Sequence, residues 1–573
     1  MLAPAPAAFA ANGAEPDAGT IESVPVAGQP FSQALRVTVK RATAQPWGVQ
    51  IGAASSAPVK RGDVLLLAFW MRAVRTGTGY GRADAYFQNG RTYAKATYFS
   101  ASAPLQWTPF FVPFLAPDDL PEGEGSLGFA FGMNAQTVEL ADVRVLNYRQ
   151  TRRVSDLPVT RLTYEGREAN APWRRAAQER IERLRKATLR VRVVDAKGRP
   201  VRGARVHLKM VRHAFHFGTS VDSLFFRDTP DARRYRAQTY RLFNTVAIGR
   251  ATKWWEWLGS PAAVEQGYGR DNALRAIGEL RAHGMRVRGT ALIWPSKQYL
   301  PDEVFALRSD KTRFARVFTD HIRDEVGALR GGISDWDVVN EPYTEHDAMD
   351  TLGQSALLDW YRAAHESDPN ARLFINDFGI IESQGEDEAH IKGYENTIGF
   401  LLRGGAPLHA IGLESHFGTQ LTSPTKALEI LDRFARFGLP LEVTEFDVNV
   451  PDEQVQADYL RDFLTLAFSH PRVTGFTMWG HWEGEHWIPG AALWRRDWTI
   501  KPNGQAWLDL VHKQWWTDVR GATNATGEFQ TRGFLGDYTV EVEASGRTQS
   551  QTLSLTSNAS SVLVTFLQLK PKN

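Results

Sequence analysis

Two glutamates lie in short apolar runs that predict buried strands. Glu341 ends the run SDWDVVNE, and Glu445 lies in LPLEVTEFD. Cleavage of a glycosidic bond needs one carboxyl group to protonate the leaving oxygen and a second to attack or stabilise the anomeric carbon. The two roles require different pKa values, and Glu341 has the more apolar neighbours. The pair therefore predicts glycoside hydrolysis, with two ordinary structural carboxylates as the alternative.

Other polar and aromatic side chains end neighbouring apolar runs in the same way. In a β/α barrel the active site lies at the carboxyl ends of the strands. We therefore expect several residues to share one rim with the two glutamates: Asn340, Asn376, Asp377, Glu414, His416, Asp447 and Trp479.

Eight apolar runs alternate with helical stretches between residues 213 and 518. The runs are HAFHFGTSV, NTVAIGR, RVRGTALIW, SDWDVVNE, RLFINDF, HAIGLESH, LPLEVTEFD and GFTMWGHW. This alternation is typical of parallel β/α units. Eight such units predict a closed (β/α)8 barrel, the TIM-barrel architecture, as the catalytic domain of a multidomain chain.

Strand-rich segments flank the predicted barrel. Residues 20–150 alternate short apolar runs with turn-forming residues, which predicts a jelly-roll sandwich similar to a carbohydrate-binding module. Residues 189–212 and 519–570 predict one small β-sandwich into which the barrel is inserted. We expect residues 1–19 to be a flexible N-terminus or signal-peptide remnant. Residues 151–188 predict a linker with a connecting helix.

Four aromatic residues of the N-terminal segment are candidates for a sugar-binding platform: Trp47, Trp70, Tyr80 and Tyr86. Aromatic rings can stack on the C–H faces of pyranose rings. Packing in the sandwich core is the alternative for the same residues.

The composition excludes several classes of partner. There are 67 basic and 64 acidic residues, a surplus too small to indicate nucleic-acid binding. The sequence contains no run of eighteen uncharged apolar residues, so no membrane-spanning helix is predicted. Cysteine is absent, which removes disulfides and thiolate chemistry. Ala-Phe-Ala-Ala near the start is similar to the tail of a signal peptide, and we expect a secreted or periplasmic protein.

Neither a cofactor nor a metal is expected, because carboxylates can do both the acid/base and the nucleophilic work. The segment GHWEGEHW contains residues of metal-ligating type, namely His481, Glu483, Glu485 and His486. A metal site there is a weak alternative.

Five runs resemble, in order, the signatures of glycoside hydrolase family ten, the barrel xylanases: SDWDVVNEP, FINDF, IGLESHF, LEVTEFDVN and FTMWG. The resemblance covers roughly residues 213–515. It implies a retaining, endo-β-1,4-xylanase-like reaction on a polysaccharide or oligosaccharide substrate, with Glu341 as general acid/base and Glu445 as nucleophile.

The resemblance also implies supporting roles. Asn340 would bind the 2-hydroxyl of the sugar at the cleavage site, while His416 and Asp447 would orient the nucleophile. Trp479 and Trp487 would form the floor and roof of the cleft. The other candidates for substrate-binding or supporting residues are Lys253, Trp254, Trp294, Asn376, Glu414 and Arg250.

The chain departs from the family's pattern at sugar-contacting positions. Gly249 and Arg250 stand where the family has Glu-Asn, and Thr290 and Pro295 replace histidines. A related β-glycosidase of changed specificity is therefore an alternative. Arg250 has suitable geometry for a uronate carboxylate of the substrate, or for a pair with Glu256. A non-catalytic carbohydrate-binding protein and, more remotely, a phosphate-binding barrel enzyme are the remaining alternatives.

Overall fold

The computed structural model describes residues 9–43, 45–76, 80–132, 134–556 and 560–566. The expectations for residues 1–8 and 567–570 lie outside the described residues. The chain forms two compact units, Met1–Leu162 and Thr163–Asn573. In the described ranges, no helix combines the length and the apolar character needed to cross a bilayer.

The first unit is an antiparallel β-sandwich. Its strands are β1 (Ala10–Ala11), β2 (Gly19–Pro25), β3 (Gln33–Val39), β4 (Gln50–Ala54), β5 (Val64–Arg75), β6 (Gly81–Asn89), β7 (Lys95–Ala103), β8 (Thr108–Leu115), β9 (Gly125–Ala130) and β10 (Gln136–Asn147). One sheet has the order β1-β4-β9-β6-β7 and the other has the order β2-β3-β10-β5-β8. The core lies between them because alternate side chains along each strand are apolar, as with Leu65, Leu67 and Phe69 on β5.

The sandwich extends beyond the predicted range at both ends. Phe9 packs against its core, and Ala10–Ala11 pairs with β4, so residues from 9 onward belong to this sandwich. The flexibility of the N-terminal segment stays a prediction. At the other end, the backbone N–H of Thr160 donates to Phe111 on β8 and its hydroxyl accepts from the same residue. These two bonds tie the chain beyond residue 150 to the sandwich.

The four candidate platform residues do not form a single surface. Trp70 lies on β5 and Tyr86 on β6, which belong to different sheets. Tyr86 is buried, and its hydroxyl donates to Gln50 Oε1 at 2.8 Å. Trp47 is 51% exposed. Carbohydrate binding by this unit stays a prediction.

The second unit begins with helix α1 (Pro172–Leu184) and strands β11 (Lys186–Asp195) and β12 (Arg205–His213). Eight parallel strands follow: β13 (His216–Val221), β14 (Thr245–Ile248), β15 (Arg286–Gly289), β16 (Asp335–Asn340), β17 (Arg372–Asp377), β18 (Ala410–Phe417), β19 (Leu441–Val448) and β20 (Val473–Met478). They close into a barrel in chain order. The predicted barrel, with all eight of its strands, is confirmed.

The helices that follow the barrel strands each bury at least one apolar residue. They are α2 (Pro230–Leu242), α3 (Trp254–Leu258), α4 (Pro261–Glu265), α5 (Arg270–Ala282), α6 (Asp302–Phe305), α7 (Lys311–Ala328), α8 (Asp347–Leu352), α9 (Ala356–Ser367), α10 (Glu388–Arg403), α11 (Pro424–Ala435), α12 (Glu453–Ser469) and α13 (Pro502–Asp509). Helix α11 shows the sequence logic: the Ser423 hydroxyl accepts from the N–H of Lys426, and proline occupies the first turn. Its buried residues Ala427, Ile430 and Phe434 follow the helical repeat.

Five strands after the barrel complete a small pair of sheets: β21 (Asp518–Ala522), β22 (Glu528–Phe534), β23 (Gly536–Ala544), β24 (Arg547–Leu555) and β25 (Ser560–Phe566). The sheet orders are β22-β11-β25 and β21-β12-β23-β24. Strands from before and after the barrel therefore pair with one another in both sheets.

Charged side chains occupy the lower part of the barrel. Arg288 pairs with Asp337, and both are buried. Arg372 bridges Asp335 and Glu442 with N···O distances of 2.7 and 2.8 Å. These residues precede the strand ends, so the network supports the rim from below.

Candidate active site

The strand register brings the predicted rim residues together. Asn340 on β16 is opposite Asn376 on β17. On the next pair of strands, Glu414 is opposite Glu445 and His416 is opposite Asp447. Because side chains two residues apart point the same way, one rim receives amide, carboxyl and imidazole groups.

Two side-chain amides connect the two principal glutamates. Asn340 Nδ2 donates to Glu341 Oε1 at 3.0 Å. Asn376 Nδ2 donates to Asn340 Oδ1 at 2.9 Å and lies 3.2 Å from Glu445 Oε1. Gly412 makes room for Asn376, since a Cβ at that position would lie 2.2 Å from Asn376 Oδ1. The amides hold Glu341 and Glu445 in one hydrogen-bonded group.

Glu341 lies directly after β16 with a left-handed backbone, φ +51°. Its N–H donates to the carbonyl of Asn376 at 2.8 Å, which fixes this uncommon conformation. Burial and the nearby carboxylates of Glu445 and Asp377 raise the pKa of Glu341 to about 8, against the opposing charge of Lys253. Near neutral pH, Glu341 therefore carries a proton that it can donate.

Glu445 is held by a histidine whose charge is secured by a further carboxylate. His416 Nε2 lies 3.1 Å from Glu445 Oε2, and its Nδ1 lies 3.1 Å from Asp447 Oδ2. Burial acts to lower the pKa of His416, but Asp447 and Glu445 outweigh it and raise the pKa well above the ordinary value. Burial likewise opposes ionisation of Asp447, yet His416 outweighs it and lowers the Asp447 pKa. A charged donor thus faces Glu445.

Glu414 is a third buried carboxyl group at this point. Its Oε1 accepts from Asn376 Nδ2 at 2.8 Å, and its Oε2 lies 3.8 Å from His416 Nε2. Burial, then the charges of Glu445 and Glu341, raise the pKa of Glu414 well above its ordinary value.

Two tryptophans border this cluster. Trp487 is 60% exposed, and its Nε1–H donates to Asp447 Oδ2 at 2.7 Å. Its ring centroid lies 5.1 Å from that of His416. Trp479 is half-buried, with its ring 6.3 Å from that of His416. Contact of either ring with a sugar stays a prediction.

A cavity of about 390 Å³ is lined by Arg250, Lys253, Trp254, Tyr268, Trp294 and Tyr299, among others. The Trp294 ring stacks on Tyr299, and Lys253 Nζ lies 4.4 Å from the Trp294 ring centroid. Trp254 is buried and stacks on His321 at 3.9 Å, so it also serves the core.

Arg250 pairs with the protein rather than facing the cavity as an uncompensated charge. Its Nε and Nη2 donate to Glu256 Oε1 at 3.0 and 2.6 Å. Its guanidinium also lies 5.2 Å from the Tyr268 ring centroid. The pairing with Glu256 is therefore confirmed.

The other departures from the family pattern are Gly249, Thr290 and Pro295. Gly249 N–H donates to Val221 O at 3.0 Å. Thr290 is buried, and its N–H donates to the Thr252 hydroxyl at 3.1 Å. Pro295 is also buried.

One group of metal-ligating type occurs among the described residues: Glu414, His416 and Glu445, with candidate atoms within 4.8 Å of one another. Internal hydrogen bonds already engage these atoms. The GHWEGEHW residues do not gather into such a group. Glu485 accepts from Ser223 and Leu224, and His481 Nδ1 lies 3.3 Å from the Thr219 hydroxyl, so these side chains attach the loop to the barrel.

One acidic residue near the site, Glu382, is not predicted from the sequence, whereas Asp377 is expected at the end of its strand. Glu382 is buried and accepts from the backbone N–H of His416 at 3.2 Å. Asp377 is buried and lies 3.0 Å from His390 Nε2. Glu382 lies in a connecting segment whose path the sequence does not specify.

Comparison with known proteins gives a family match. The model of Glycosyl hydrolase family 10 matches residues 208–509, more than half of the chain. "Anti-sigma-I factor RsgI6" of Acetivibrio thermocellus is 29% identical over 396 residues, covering 69% of this chain and 50% of that protein. "Endo-1,4-beta-xylanase 1" of Arabidopsis thaliana is 26% identical over 391 residues, covering 68% of this chain and 38% of that protein.

The chain thus spans half or less of the length of these two curated relatives. Among solved structures, native xylanase 10B from Thermotoga maritima is 25% identical, with a TM-score of 0.47, and the match covers 52% of this chain and 96% of that one. The match of the family model over the whole barrel shows that this chain belongs to glycosyl hydrolase family 10.

Proposed function

We propose that this protein is a retaining glycoside hydrolase that cleaves β-1,4-linked, xylan-type polysaccharide. The observation that carries the proposal is the shared amide network of Glu341 and Glu445, in which Glu341 holds a proton and Glu445 faces a charged histidine. Double displacement requires one carboxyl group that can donate a proton and one carboxylate that can attack the anomeric carbon. Relatives named as xylanases support the choice of substrate.

In the first step, a carboxylate oxygen of Glu445 attacks the anomeric carbon. The glycosidic C–O bond breaks as the new ester bond forms, and Glu341 transfers its proton to the leaving oxygen. Asn340, which donates to Glu341, would bind the 2-hydroxyl of the reacting sugar.

In the second step, the ionised Glu341 takes a proton from water. The water oxygen attacks the anomeric carbon, the ester bond breaks, and Glu445 leaves as a carboxylate. His416 donates to Glu445 Oε2, which favours the carboxylate as leaving group. Two inversions give a product of retained configuration.

The pairing of Arg250 bears on the substrate. Since Glu256 already neutralises this guanidinium, the cavity offers no unpaired Arg250 charge to a uronate. The Arg250–Glu256 pair therefore favours a neutral xylan backbone, rather than a uronate-bearing glycan, as the substrate.

The first test is hydrolysis of xylan, glucuronoxylan, mixed-linkage β-glucan and aryl β-glycosides by the wild type and by Glu445→Ala. We expect xylan cleavage to short oligosaccharides, with loss of at least about 10³-fold in the variant. Cleavage of another glycan but not of xylan would show that the proposed substrate is wrong. Inactivity on the whole panel would favour the carbohydrate-binding alternative.

Azide distinguishes the roles of the two glutamates. With an activated aryl β-xyloside, Glu445→Ala plus azide should give the α-glycosyl azide, because azide replaces the nucleophile. Glu341→Ala plus azide should give the β-glycosyl azide, because azide attacks the glycosyl-enzyme. Glu429→Gln, an exposed substitution on α11, serves as the control and should retain wild-type rates. Exchanged products would reverse the two assignments.

A further inference from the structure

Glu414 and Glu445 compete for the same hydrogen-bond donors. Asn376 Nδ2 has two hydrogens, but three acceptor oxygens lie within 3.2 Å of it: Asn340 Oδ1, Glu414 Oε1 and Glu445 Oε1. His416 Nε2 has one hydrogen and lies closer to Glu445 than to Glu414, at 3.1 against 3.8 Å. The donors in contact are therefore too few for two full carboxylates.

The charges of the cluster give the same result. His416 is the cation in direct contact with the group, and Asp447 and Glu445 both lie 3.1 Å from its ring nitrogens. An ionised Glu414 would add a third negative charge against one positive charge. Glu414 and Glu445 are both buried, so water cannot screen that charge.

The surroundings of Glu414 are predominantly acidic. The titratable groups that act on it or respond to it are Glu341 after β16, Asp377 in β17, Glu382 in the following loop, His416 in β18, Glu445 in β19, Tyr299 after β15 and Tyr394 in α10. Four of the seven are carboxyl groups and one is a base. This environment favours the uncharged form of Glu414.

We propose that Glu414 is a positioning residue that acts as a neutral carboxylic acid, so that Asn376 and His416 stabilise a single carboxylate, Glu445. This inference rests on the proposed function, because it assigns the nucleophile's charge to Glu445. Oε1 of Glu414, which accepts from Asn376, is the carbonyl oxygen, and Oε2 carries the proton. That proton stays on Glu414 through both chemical steps.

Two substitutions separate neutral positioning from charge. Glu414→Ala removes the acceptor for Asn376, and we expect kcat/KM to fall about 10- to 100-fold. Glu414→Gln keeps a carbonyl acceptor and an uncharged side chain, and should restore most of that loss. An equal loss in both variants would show that the negative charge is needed, and an active Glu414→Ala would show that the position is irrelevant. Either result would overturn the proposal.

The protonation state can also be measured directly. We expect the infrared spectrum of Glu414→Gln near neutral pH to lack a protonated carboxyl C=O band that the wild type has. The wild-type-minus-variant difference spectrum should therefore contain this band as a positive feature. Glu429→Gln, whose side chain is exposed, should show loss of a carboxylate band instead. A carboxylate band in the Glu414 difference spectrum would overturn the proposal.

Failure of the proposed function has a separate signature. If the wild type cleaves no glycoside, the enzymatic assignment fails, while the infrared spectrum still reports the charge of Glu414. If the wild type is active and the glutamine variant is not, only the role of Glu414 fails.

Discussion

Asp447 places a carboxylate oxygen 3.1 Å from Nδ1 of His416, while the opposite ring nitrogen faces Glu445. A carboxylate in this position fixes the orientation of an imidazole and favours its protonated form. The pKa of His416 is accordingly raised, because Asp447 and Glu445 together outweigh the effect of burial. The relationship makes Asp447 part of the control of Glu445.

Replacement of Asp447 by asparagine should lower kcat/KM about 10- to 100-fold, because His416 loses its ionic partner and donates less strongly to Glu445. Steady-state kinetics on the cleaved substrate measure this. Asp432→Asn is a matched control, since Asp432 Oδ1 lies 3.2 Å from His470 Nε2 on the outside of the barrel. Equal losses in the two variants would point to general destabilisation.

The pH–rate profile should fall on the alkaline side with an apparent pKa near 8, because burial and the charge of Glu445 raise the pKa of Glu341 to about 8. Above that pH, Glu341 has lost the proton that the leaving oxygen needs. An aryl glycoside with a good leaving group should show a weaker decline in kcat/KM, since its departure needs little protonation. Identical pH–rate profiles for xylan and for the aryl glycoside would contradict the role of Glu341 as the acid.

The same pKa shift predicts how stability depends on pH. Glu341 has a folded-state pKa of about 8, against an ordinary value of 4.5, so the folded protein retains a proton that the unfolded chain releases between these values. This group therefore lowers the unfolding free energy as pH rises through that window. Glu341→Gln should gain thermal stability over the wild type near pH 8 and little near pH 4. A constant difference in melting temperature across this range would refute the shift.

The barrel and its rim could be predicted because their signals are local. Each strand is an apolar run, and the parallel arrangement brings its polar end to one rim, so Asn376 and Glu445 are predictable without knowledge of contacts. The pairing of charges could not be predicted in the same way. The shared donors of Glu414 and the contact of Glu382 with His416 depend on the register and on a loop path.

Substitution of Arg250 by alanine should leave the ratio of activities on glucuronoxylan and unsubstituted xylan unchanged, because Glu256 neutralises the guanidinium. Arg270→Ala is a matched control, because Arg270 lies outside the cavity lining and pairs with Asp324. Its guanidinium lies 5.3 Å from the Trp257 ring centroid, a contact similar to that of Arg250 with Tyr268. A selective loss on glucuronoxylan in the Arg250 variant alone would show that Arg250 binds a substrate carboxylate.

The buried pair of Arg288 and Asp337 makes the last prediction. Burial raises the pKa of Asp337 to about 6 even with Arg288 beside it. Arg288→Met leaves this carboxyl without its cation and should destabilise the barrel by about 3–5 kcal/mol. Arg362→Met, which breaks an exposed pair with Asp359, should cost less than about 1 kcal/mol.

Chemical denaturation above pH 7 measures both variants. Lowering the pH from alkaline values toward about 6 should reduce the cost of Arg288→Met, because loss of Arg288 raises the pKa of Asp337 further and protonation then removes its unpaired charge. The pH dependence separates lost charge from lost packing, since an arginine that served only to fill space would give the same loss at every pH.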